Sequence, residues 1–295
     1  MVTDCLSRDP SFSVTATVRS AGLAQRGGAR LRNVDWRVLD GDAVNLAEML
    51  SVIDGQDWVI NAIGITKPLI HDDLPEEVER AVRINSVLPH LIAQRAEATG
   101  ARVLQIATDC VYSGATGDYA EDAAHDALDV YGKTKSLGEV HASSVHHLRC
   151  SIVGPEAKDH RSLLDWFLGQ PTGAKLDGFT NHRWNGVTTL HFAKLCQGVI
   201  TKQFEGLPHA LHVLPRGEIT KCDLLSSFAR SYHRDDVSII PTEASQVIDR
   251  TLRSEYAELN RDLWRWAGYA TVPSIPDMVD ELARYEYRFG ECLAR

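Results

Sequence analysis

Three side chains near the middle of the sequence have the types and spacing needed to protonate a carbonyl oxygen. Tyr131 and Lys135 are four residues apart, so they share one face if this segment is helical. A phenol normally has a pKa of about 10, and a nearby ammonium group lowers that pKa toward useful acid-base work. The hydroxyl of Thr108 could hold the oxygen while a hydride arrives at carbon. These residues predict a site for carbonyl reduction.

The elements that must position these groups are a strand and a helix. Val103-Leu104-Gln105-Ile106 is typical of a buried strand, which puts Thr108 at its carboxyl end, where open α/β sheets place ligands. Tyr131-Gly132-Lys133-Thr134-Lys135 opens the predicted helix. A Tyr-x-x-x-Lys pattern alone is weak evidence. The pattern becomes stronger evidence for a carbonyl-reducing site because a predicted strand and the motif Thr-Asp-x-Val-Tyr-x-Gly precede it.

Both segments resemble the extended short-chain dehydrogenase/reductases, most closely their dTDP-4-dehydrorhamnose reductase branch. That branch has a Ser/Thr-Thr-Asp-Tyr-Val-Phe-x-Gly strand end and a later Tyr-Gly-x-Ser/Thr-Lys helix start. Here Cys110 and Tyr112 replace the usual aromatic residues, and Ala127 stands where a proline is common. None of the three changes affects a proton-transferring group, so the resemblance extends to the chemistry.

The resemblance implies roles for the three side chains. Thr108 is expected to orient the carbonyl, Tyr131 to act as the acid, and Lys135 to be its electrostatic partner and a ribose ligand. The fold implied is α/β: a Rossmann-type, doubly wound parallel sheet with a smaller C-terminal α/β substrate domain. Residues 1–155 would form the NADP-binding domain, to which 186–214 return, and 156–295 mainly the substrate-binding domain.

The beginning of the sequence departs from that family pattern. A dinucleotide-binding fold should open with a strand, a Gly-x-x-Gly-x-x-Gly turn and a helix. Residues 13–19 read as a strand, but only a helix-like segment precedes them, and Gly27-Gly28 follows them. We therefore expect the numbered chain to begin inside the first helix of the family fold. The absent strand would be a middle one, leaving two neighbours with unpaired edges.

Cofactor contacts are expected at strand ends. Arg19 ends the second-strand candidate, where an arginine can accept a 2′-phosphate, so it favours NADP(H) over NAD(H). Small residues in 61–64 resemble a family segment whose backbone lies against the cofactor. Asn85 resembles the structural asparagine of the family's helix, which helps fix the active-site backbone, and an ordinary buried asparagine is the alternative. For Arg19 the alternative is a solvated cation at a strand end. The predicted cofactor-binding residues are Arg19, Asp40, Asn61, Ala62, Gly64, Asn85, Tyr131 and Lys135.

Substrate contacts are expected in three polar stretches. The acidic loop 115–129 carries Glu121, which matches an acid common in the family. The segment 178–186 mixes polar groups with two aromatic rings, which suits sugars and nucleotides, and Arg250 could meet a diphosphate bidentately. Each stretch has an alternative interpretation. The alternative is solvated surface for the acidic loop, a packed surface loop for the segment 178–186, and a surface ion pair for Arg250. The predicted substrate-binding residues are Asp109, Glu121, Asn181, Trp184 and Arg250.

Composition bounds the partners and the compartment. The formal net charge of −9 over 295 residues argues against sequence-independent nucleic-acid binding. No apolar run approaches the ~20 residues of a membrane span. Six scattered cysteines and the absence of His-x-x-x-His or His-Glu-x-x-His patterns predict reduced thiols and no metal site. We expect a cytoplasmic protein. A homodimer is compatible with the sequence, which does not determine the oligomeric state.

Together these features predict NADPH-dependent reduction of the 4-keto group of a nucleotide-linked deoxysugar. A related epimerase or dehydratase with bound NAD is one alternative. Against it, Asp109 is followed by Cys110, whereas such dehydratases usually have an Asp-Glu pair after the strand-end threonine. A non-catalytic nucleotide-binding regulatory subunit is the other alternative. The missing glycine turn favours it, and the intact Thr108, Tyr131 and Lys135 count against it.

Overall fold

The computed structural model describes residues 1–40, 46, 50–156 and 161–288. Its strands are β1 (Val14–Val18), β2 (Val34–Val38), β3 (Trp58–Asn61), β4 (Arg102–Ala107), β5 (Val145–Arg149), β6 (Ile152–Val153), β7 (Lys175–Phe179), β8 (His182–Trp184), β9 (Val187–Thr188), β10 (Ala210–His212), β11 (Ile219–Thr220), β12 (Ser238–Thr242) and β13 (Ile248–Asp249). Its α-helices are α1 (Val2–Leu6), α2 (Ala21–Arg30), α3 (Pro75–Ala81), α4 (Leu88–Thr99), α5 (Val130–Leu137), α6 (Leu163–Leu168), α7 (Thr189–Lys202), α8 (Lys221–Ser231), α9 (Ala257–Trp266) and α10 (Ile275–Arg284).

The largest sheet is parallel and has the order β10-β5-β4-β3. A separate parallel pair consists of β1 and β2. Among the described strands, β1 pairs only with β2 and β3 only with β4, so each has one unpaired edge. Parallel strands linked through helices confirm the predicted α/β class of Rossmann type.

Apolar layers cover both faces of the four-stranded sheet. Leu104 and Leu148 point into a large core shared with α7, α8 and α10, whereas Val103 and Val145 point into a second core against α4. Successive strand residues alternate between faces, so this division follows from the apolar run of β4. Burial on both faces explains why that strand has no polar-apolar alternation.

The second half of the chain builds smaller sheets, with the orders β11-β8-β13, β12-β7 and β6-β9. The chain also re-enters the main sheet here, because β10 pairs in parallel with β5. The domain division at residue 155 stays a prediction.

Residues 75–99 form one continuous helical run with a widened turn inside it. Helices α3 and α4 flank a π-helical segment, Val82–Val87. A π-helical turn inserts one residue into the ladder and is frequent at functional sites. Here it carries the buried Asn85. The run ends at Gly100, whose φ of 78° is the left-handed cap expected of glycine.

The described residues contain neither a membrane-spanning helix nor a cluster of metal-binding side chains. Within 1–40, 46, 50–156 and 161–288, no helix is long and apolar enough to cross a membrane. No group of three or more His, Cys, Asp or Glu side chains in those ranges could hold a metal ion. The described cysteines that are free thiols are Cys5, Cys110, Cys150, Cys196 and Cys222.

A stack of histidines lies where β5 meets the segment before β10. The His209 ring stacks on His141, with centroids 4.0 Å apart, and contacts His147 edge-on at 4.8 Å. His147 is fully buried, and its Nε2 lies 3.1 Å from the carbonyl oxygen of Val140. Its Nδ1 has no hydrogen-bond partner among the described residues. Burial lowers the pKa of His147 to about 4, because a protonated ring would carry an unsatisfied donor.

Stability is therefore expected to fall in mild acid. The unfolded chain binds a proton on His147 near pH 6.5, whereas the native chain binds it only near pH 4, so stability is lost as pH falls through this window. Between pH 6.5 and 5 the loss from this group is about 1.5 kcal/mol. Urea unfolding at several pH values measures it. His147→Gln should flatten the dependence and the exposed control His90→Gln should not; equal slopes in all three proteins contradict the assignment.

Candidate active site

Thr108 lies directly beyond the carboxyl end of the central strand β4. Its Oγ1 accepts a hydrogen bond from the Cys110 backbone amide at 3.1 Å and so caps a short 3₁₀ turn over Asp109–Val111. The same hydroxyl donates to the Asp109 carboxylate at 3.2 Å. These contacts fix the direction of the Thr108 side chain, which is buried except for a small exposed fraction.

The helix that carries Tyr131 is held at its amino end from two directions. Asp129 caps α5 by accepting from the amide of Gly132 at 2.8 Å, as aspartate does at helix starts. Lys67, from the loop after β3, forms an ion pair with Asp129 at 2.7 Å. Asp72 accepts from the Val130 amide at 3.2 Å. The loop after β3 thereby sets where α5 begins.

Two glycines let α5 approach its neighbours closely. A Cβ on Gly132 would lie 2.4 Å from the carbonyl oxygen of Cys110, so only glycine allows the helix to contact the turn after Thr108. A Cβ on Gly138 would lie 2.0 Å from the carbonyl oxygen of Asn85. Because real Cβ atoms do not approach so closely, both ends of the helix need glycine for this packing.

The structure brings the three predicted catalytic side chains together. The Tyr131 phenol lies close enough to the Thr108 hydroxyl for this group to favour the ionised phenol. Lys135, one turn further along α5, donates from Nζ to the carbonyl oxygen of Ile106 at 2.9 Å, at the end of β4. The hydroxyl, phenol and ammonium groups therefore meet at the carboxyl edge of the sheet, where this architecture places ligands.

The electrostatics differ from the sequence-based expectation for the phenol. Burial raises the pKa of Tyr131 well above its usual value, and the neighbouring Thr108 hydroxyl only partly opposes this. Burial also lowers the pKa of Lys135 to about 8. The predicted lowering of the phenol pKa by Lys135 is thus wrong for the protein alone. Desolvation of the phenol is the larger effect, and the ammonium is bound to a carbonyl oxygen.

Two of the predicted substrate-binding residues lie beside this trio. Asp109 is 4% exposed, and burial raises the pKa of its carboxyl against the opposing charge of Arg250. Arg250 donates to the carbonyl oxygens of Tyr112 at 3.1 Å and Ser113 at 3.3 Å. These bonds hold the guanidinium next to the turn that follows Thr108. Asp109 is too deeply buried for direct contact with a large substrate, which corrects its predicted role.

The predicted cofactor residues divide into two groups. The amides of Asn61 and Asn85 bind the protein itself: Asn61 contacts Gln105 at 2.7 Å, and Asn85 binds both backbone polar groups of Ile65. Asn85 also donates to the Thr134 hydroxyl at 3.2 Å, which ties the loop after β3 to α5. Both asparagines position backbone and do not face a ligand. The residues at accessible strand ends are Arg19, Asp40, Ala62 and Gly64.

Three other predicted substrate contacts bind the protein itself. Glu121 accepts from the amides of His212 and Glu255 at 3.0 and 2.9 Å. Asn181 exchanges two hydrogen bonds with the backbone of Ala244, at 2.7 and 3.0 Å. Trp184 packs against the large core. The polar atoms of Glu121 and Asn181 hold neighbouring loops by hydrogen bonds to backbone. The structure therefore does not support their predicted role as substrate ligands.

Sequence reasoning missed a buried polar cluster behind the trio, here called the Arg149 network: Arg149, Glu139, Tyr112 and His212. Arg149 ends β5, every residue of which is buried, and it forms an ion pair with Glu139 at 2.6 Å. An arginine inside a continuous buried run signals a buried partner, because an unpaired charge there is costly. That signal was present in the sequence, although it does not name the partner.

The donor set fits the nicotinamide and ribose half of a dinucleotide. A phenol, an ammonium and a hydroxyl meet at one sheet edge, and the small residues Ala62 and Gly64 expose backbone beside it. The residues of this chain include no Gly-x-x-Gly-x-x-Gly turn to cradle the pyrophosphate.

The amino-acid sequence matches a known protein family. The family model described as RmlD substrate binding domain matches residues 20–285. A dTDP-4-dehydrorhamnose reductase of Streptomyces griseus is 39% identical over 218 residues, 67% of each chain. Alignments to three further curated relatives cover only 29%, 60% and 27% of those proteins.

Solved structures show the same fold. A dTDP-4-dehydrorhamnose reductase of Bacillus anthracis in complex with NADP has a TM-score of 0.68 at 16% identity, over 91% of this chain and 97% of that one. A UDP-glucuronic acid 4-epimerase of Bacillus cereus, in complex with UDP-glucuronic acid and NAD, has a TM-score of 0.70 at 14% identity, over 96% and 94%. On the family match, the chain belongs to the RmlD substrate binding domain family.

Proposed function

We propose that this chain is an NADP(H)-dependent reductase acting on the 4-keto group of a nucleotide-linked deoxysugar. The observation that carries the proposal is the convergence of Thr108, Tyr131 and Lys135 at the carboxyl edge of β4. The names of the Streptomyces griseus and Bacillus anthracis proteins support the substrate class. The epimerase of the same fold has a different activity, so fold alone does not carry the choice.

The chemistry follows from the states of these groups. A reduced nicotinamide, when bound, supplies the hydride. The raised pKa of Tyr131 keeps the phenol protonated at neutral pH, which is the form needed to donate a proton to the new alkoxide. Thr108 holds the same oxygen by a hydrogen bond, and the positive charge of Lys135 stabilises the phenolate that forms.

Arg250 is the residue proposed to meet the substrate diphosphate. Its Nε and Nη2 bind backbone carbonyl oxygens, which fixes the guanidinium plane beside the active-site turn. A planar guanidinium held in this way can offer its remaining N–H groups to a phosphate with little loss of side-chain entropy. Strand β8, which follows Asn181 and ends at Trp184, pairs with β13 just before Arg250 and so supports the position of this arginine.

Cofactor choice is tested at Arg19, whose side chain is exposed beyond β1. NADPH should have a lower KM than NADH, because the guanidinium can pair with the 2′-phosphate. Arg19→Ala should raise the KM for NADPH about tenfold and leave that for NADH unchanged, since a hydrogen bond to a charged group contributes about 1.5 kcal/mol or more. Arg37→Ala, an exposed arginine on β2, is the matched control. Equal losses for both cofactors contradict the assignment.

The function itself is tested by following NADPH oxidation with dTDP-4-dehydrorhamnose. We expect turnover that requires both compounds. A folded chain that binds NADPH but reduces none of several 4-keto nucleotide sugars would instead support a non-catalytic nucleotide-binding subunit. The absence of a glycine-rich phosphate turn among these residues is the observation that favours this second candidate. Calorimetric titration with NADPH and NADH separates loss of binding from loss of chemistry.

A further inference from the structure

The Arg149 guanidinium is buried and bonded on every side. Its side chain is 2% exposed, and it grips Glu139 bidentately, with Nε at 3.1 Å and Nη2 at 2.6 Å from the two carboxylate oxygens. Nη1 donates to the Tyr112 hydroxyl at 2.9 Å and lies 2.7 Å from Nε2 of His212. A buried bidentate pair with satisfied hydrogen bonds is the arrangement in which burial of charge is tolerated.

The partners of Arg149 come from the segments that carry the catalytic groups. Tyr112 follows the turn after Thr108, and Glu139 follows the end of α5. Arg149 itself is in register with Ala107, the last residue of β4. The guanidinium therefore joins the strand end, the turn and the segment after the catalytic helix.

Glu139 also acts on Lys135. It lies four residues beyond Lys135 along the chain, and its carboxylate is the charge that most strongly favours the protonated ammonium. The Cys110 thiol is the other titratable group that acts on Lys135. Arg149, His147 and His125 are the groups that favour the ionised form of Glu139.

Two cations thus compete for one buried carboxylate. Arg149 holds it with two hydrogen bonds, and Lys135 is left to donate to the Ile106 carbonyl oxygen at the active-site edge. Without Arg149, a buried carboxylate would lose its counter-ion, which is costly unless another cation replaces it. His125 Nε2 lies 3.9 Å from a Glu139 oxygen, but burial lowers the pKa of His125. The Lys135 ammonium, four residues before Glu139 in the chain, is the cation that remains to replace Arg149. Its capture would remove it from the catalytic site.

We propose that Arg149 is a positioning residue that holds Glu139 and thereby leaves Lys135 free to serve Tyr131. This inference rests on the proposed reductase function for its kinetic consequence. The structural half concerns only residues of this chain and can be tested without cofactor.

The kinetic test is a double-mutant cycle on Arg149 and Glu139. Arg149→Met should lower kcat about 100-fold, because a displacement of about 1 Å in a catalytic group costs that much. Adding Glu139→Gln to Arg149→Met should raise kcat again at least tenfold, because the side chain at position 139 is then neutral and no longer attracts Lys135. Arg149→Lys should retain more activity than Arg149→Met. Thermal unfolding of each variant verifies that the proteins compared are folded.

The cofactor-free test measures the titration of Lys135 by NMR of ¹³C-methylated lysines, with Lys135→Arg assigning the signal. In the wild type, burial lowers the pKa of Lys135 to about 8. Arg149→Met should raise that pKa, Glu139→Gln should lower it, and the double variant should return it toward the wild-type value. If Arg149→Met does not fold, Glu139→Gln alone still gives a defined direction.

The outcomes separate this inference from the proposed function. A double variant no more active than Arg149→Met, or a Lys135 pKa that does not move in opposite directions in the two single variants, overturns the inference. A wild-type protein that reduces no nucleotide sugar overturns the proposed function, while the NMR result still decides the role of Arg149.

Discussion

Replacing Tyr131 by phenylalanine should lower kcat by about 10²- to 10⁴-fold, the range of a positioned general acid. The phenol is the proposed proton donor beside the Thr108 hydroxyl, and phenylalanine keeps the ring that packs there. Affinity for NADPH, measured by calorimetry, should change little, because the lost group acts on the reacting oxygen. The effect should therefore appear in kcat far more than in cofactor binding.

The control for this variant is Tyr256→Phe, since Tyr256 is 43% exposed and lies outside the trio. It should leave kcat and NADPH affinity unchanged. Turnover by the Tyr131→Phe protein at the wild-type rate would exclude the phenol as the acid and with it the proposed mechanism. A parallel loss of NADPH affinity would indicate that the ring had moved.

Gly138→Ala is expected to destabilise the protein by about 3 kcal/mol, at the upper end of the usual cost of overpacking. The added methyl group would lie 2.0 Å from the carbonyl oxygen of Asn85, which is backbone and cannot rotate away. The end of α5 must then separate from the π-helical segment Val82–Val87. The 3.2 Å hydrogen bond from Asn85 to Thr134 would be strained, so activity should fall with stability.

The matched control is Gly22→Ala, because a Cβ on Gly22 in α2 has no atom within 4 Å. Alanine in a helix is expected to stabilise by about 0.5–1 kcal/mol relative to glycine. Guanidinium chloride unfolding of both variants measures the difference. Similar stabilities for the two variants would show that α5 can shift at no cost, contrary to the close packing at Gly138.

The strand, the turn and the catalytic helix could be predicted because their signals are local. The apolar run of β4 and the four-residue spacing of Tyr131 and Lys135 each depend on a few neighbouring residues. The position of Thr108 at the strand end then follows from the way parallel sheets place ligands. The parallel α/β class was predicted from the family resemblance that these local motifs carry, and the order β10-β5-β4-β3 confirms it.

Side-chain partners could not be predicted, because they depend on which backbone the fold brings near. Glu121 and Asn181 are polar residues in loops, and that pattern is the same whether a side chain binds a ligand or a neighbouring amide. In the structure both bind backbone, at Glu255 and Ala244 respectively. The pairing of Arg149 with Glu139 across ten residues was hidden for the same reason.

The direction of the Tyr131 pKa shift shows a limit of a different kind. Spacing along a helix gives the relative position of Tyr131 and Lys135, and from it we expected a lowered pKa. Depth of burial is set by the tertiary packing around α5, and desolvation is the largest effect on the pKa of Tyr131. A sequence shows which charged residues lie near Tyr131 along a helix. It does not show how completely the folded chain excludes water from the phenol.

The π-helical segment Val82–Val87 has a consequence for comparing this chain with its relatives. It accommodates one residue more than a regular helix of the same length, and each residue turns a helix by about 100°. A relative with an uninterrupted helix here would carry one residue fewer. We therefore expect single-residue alignment gaps to fall inside 82–87, in the middle of a helix.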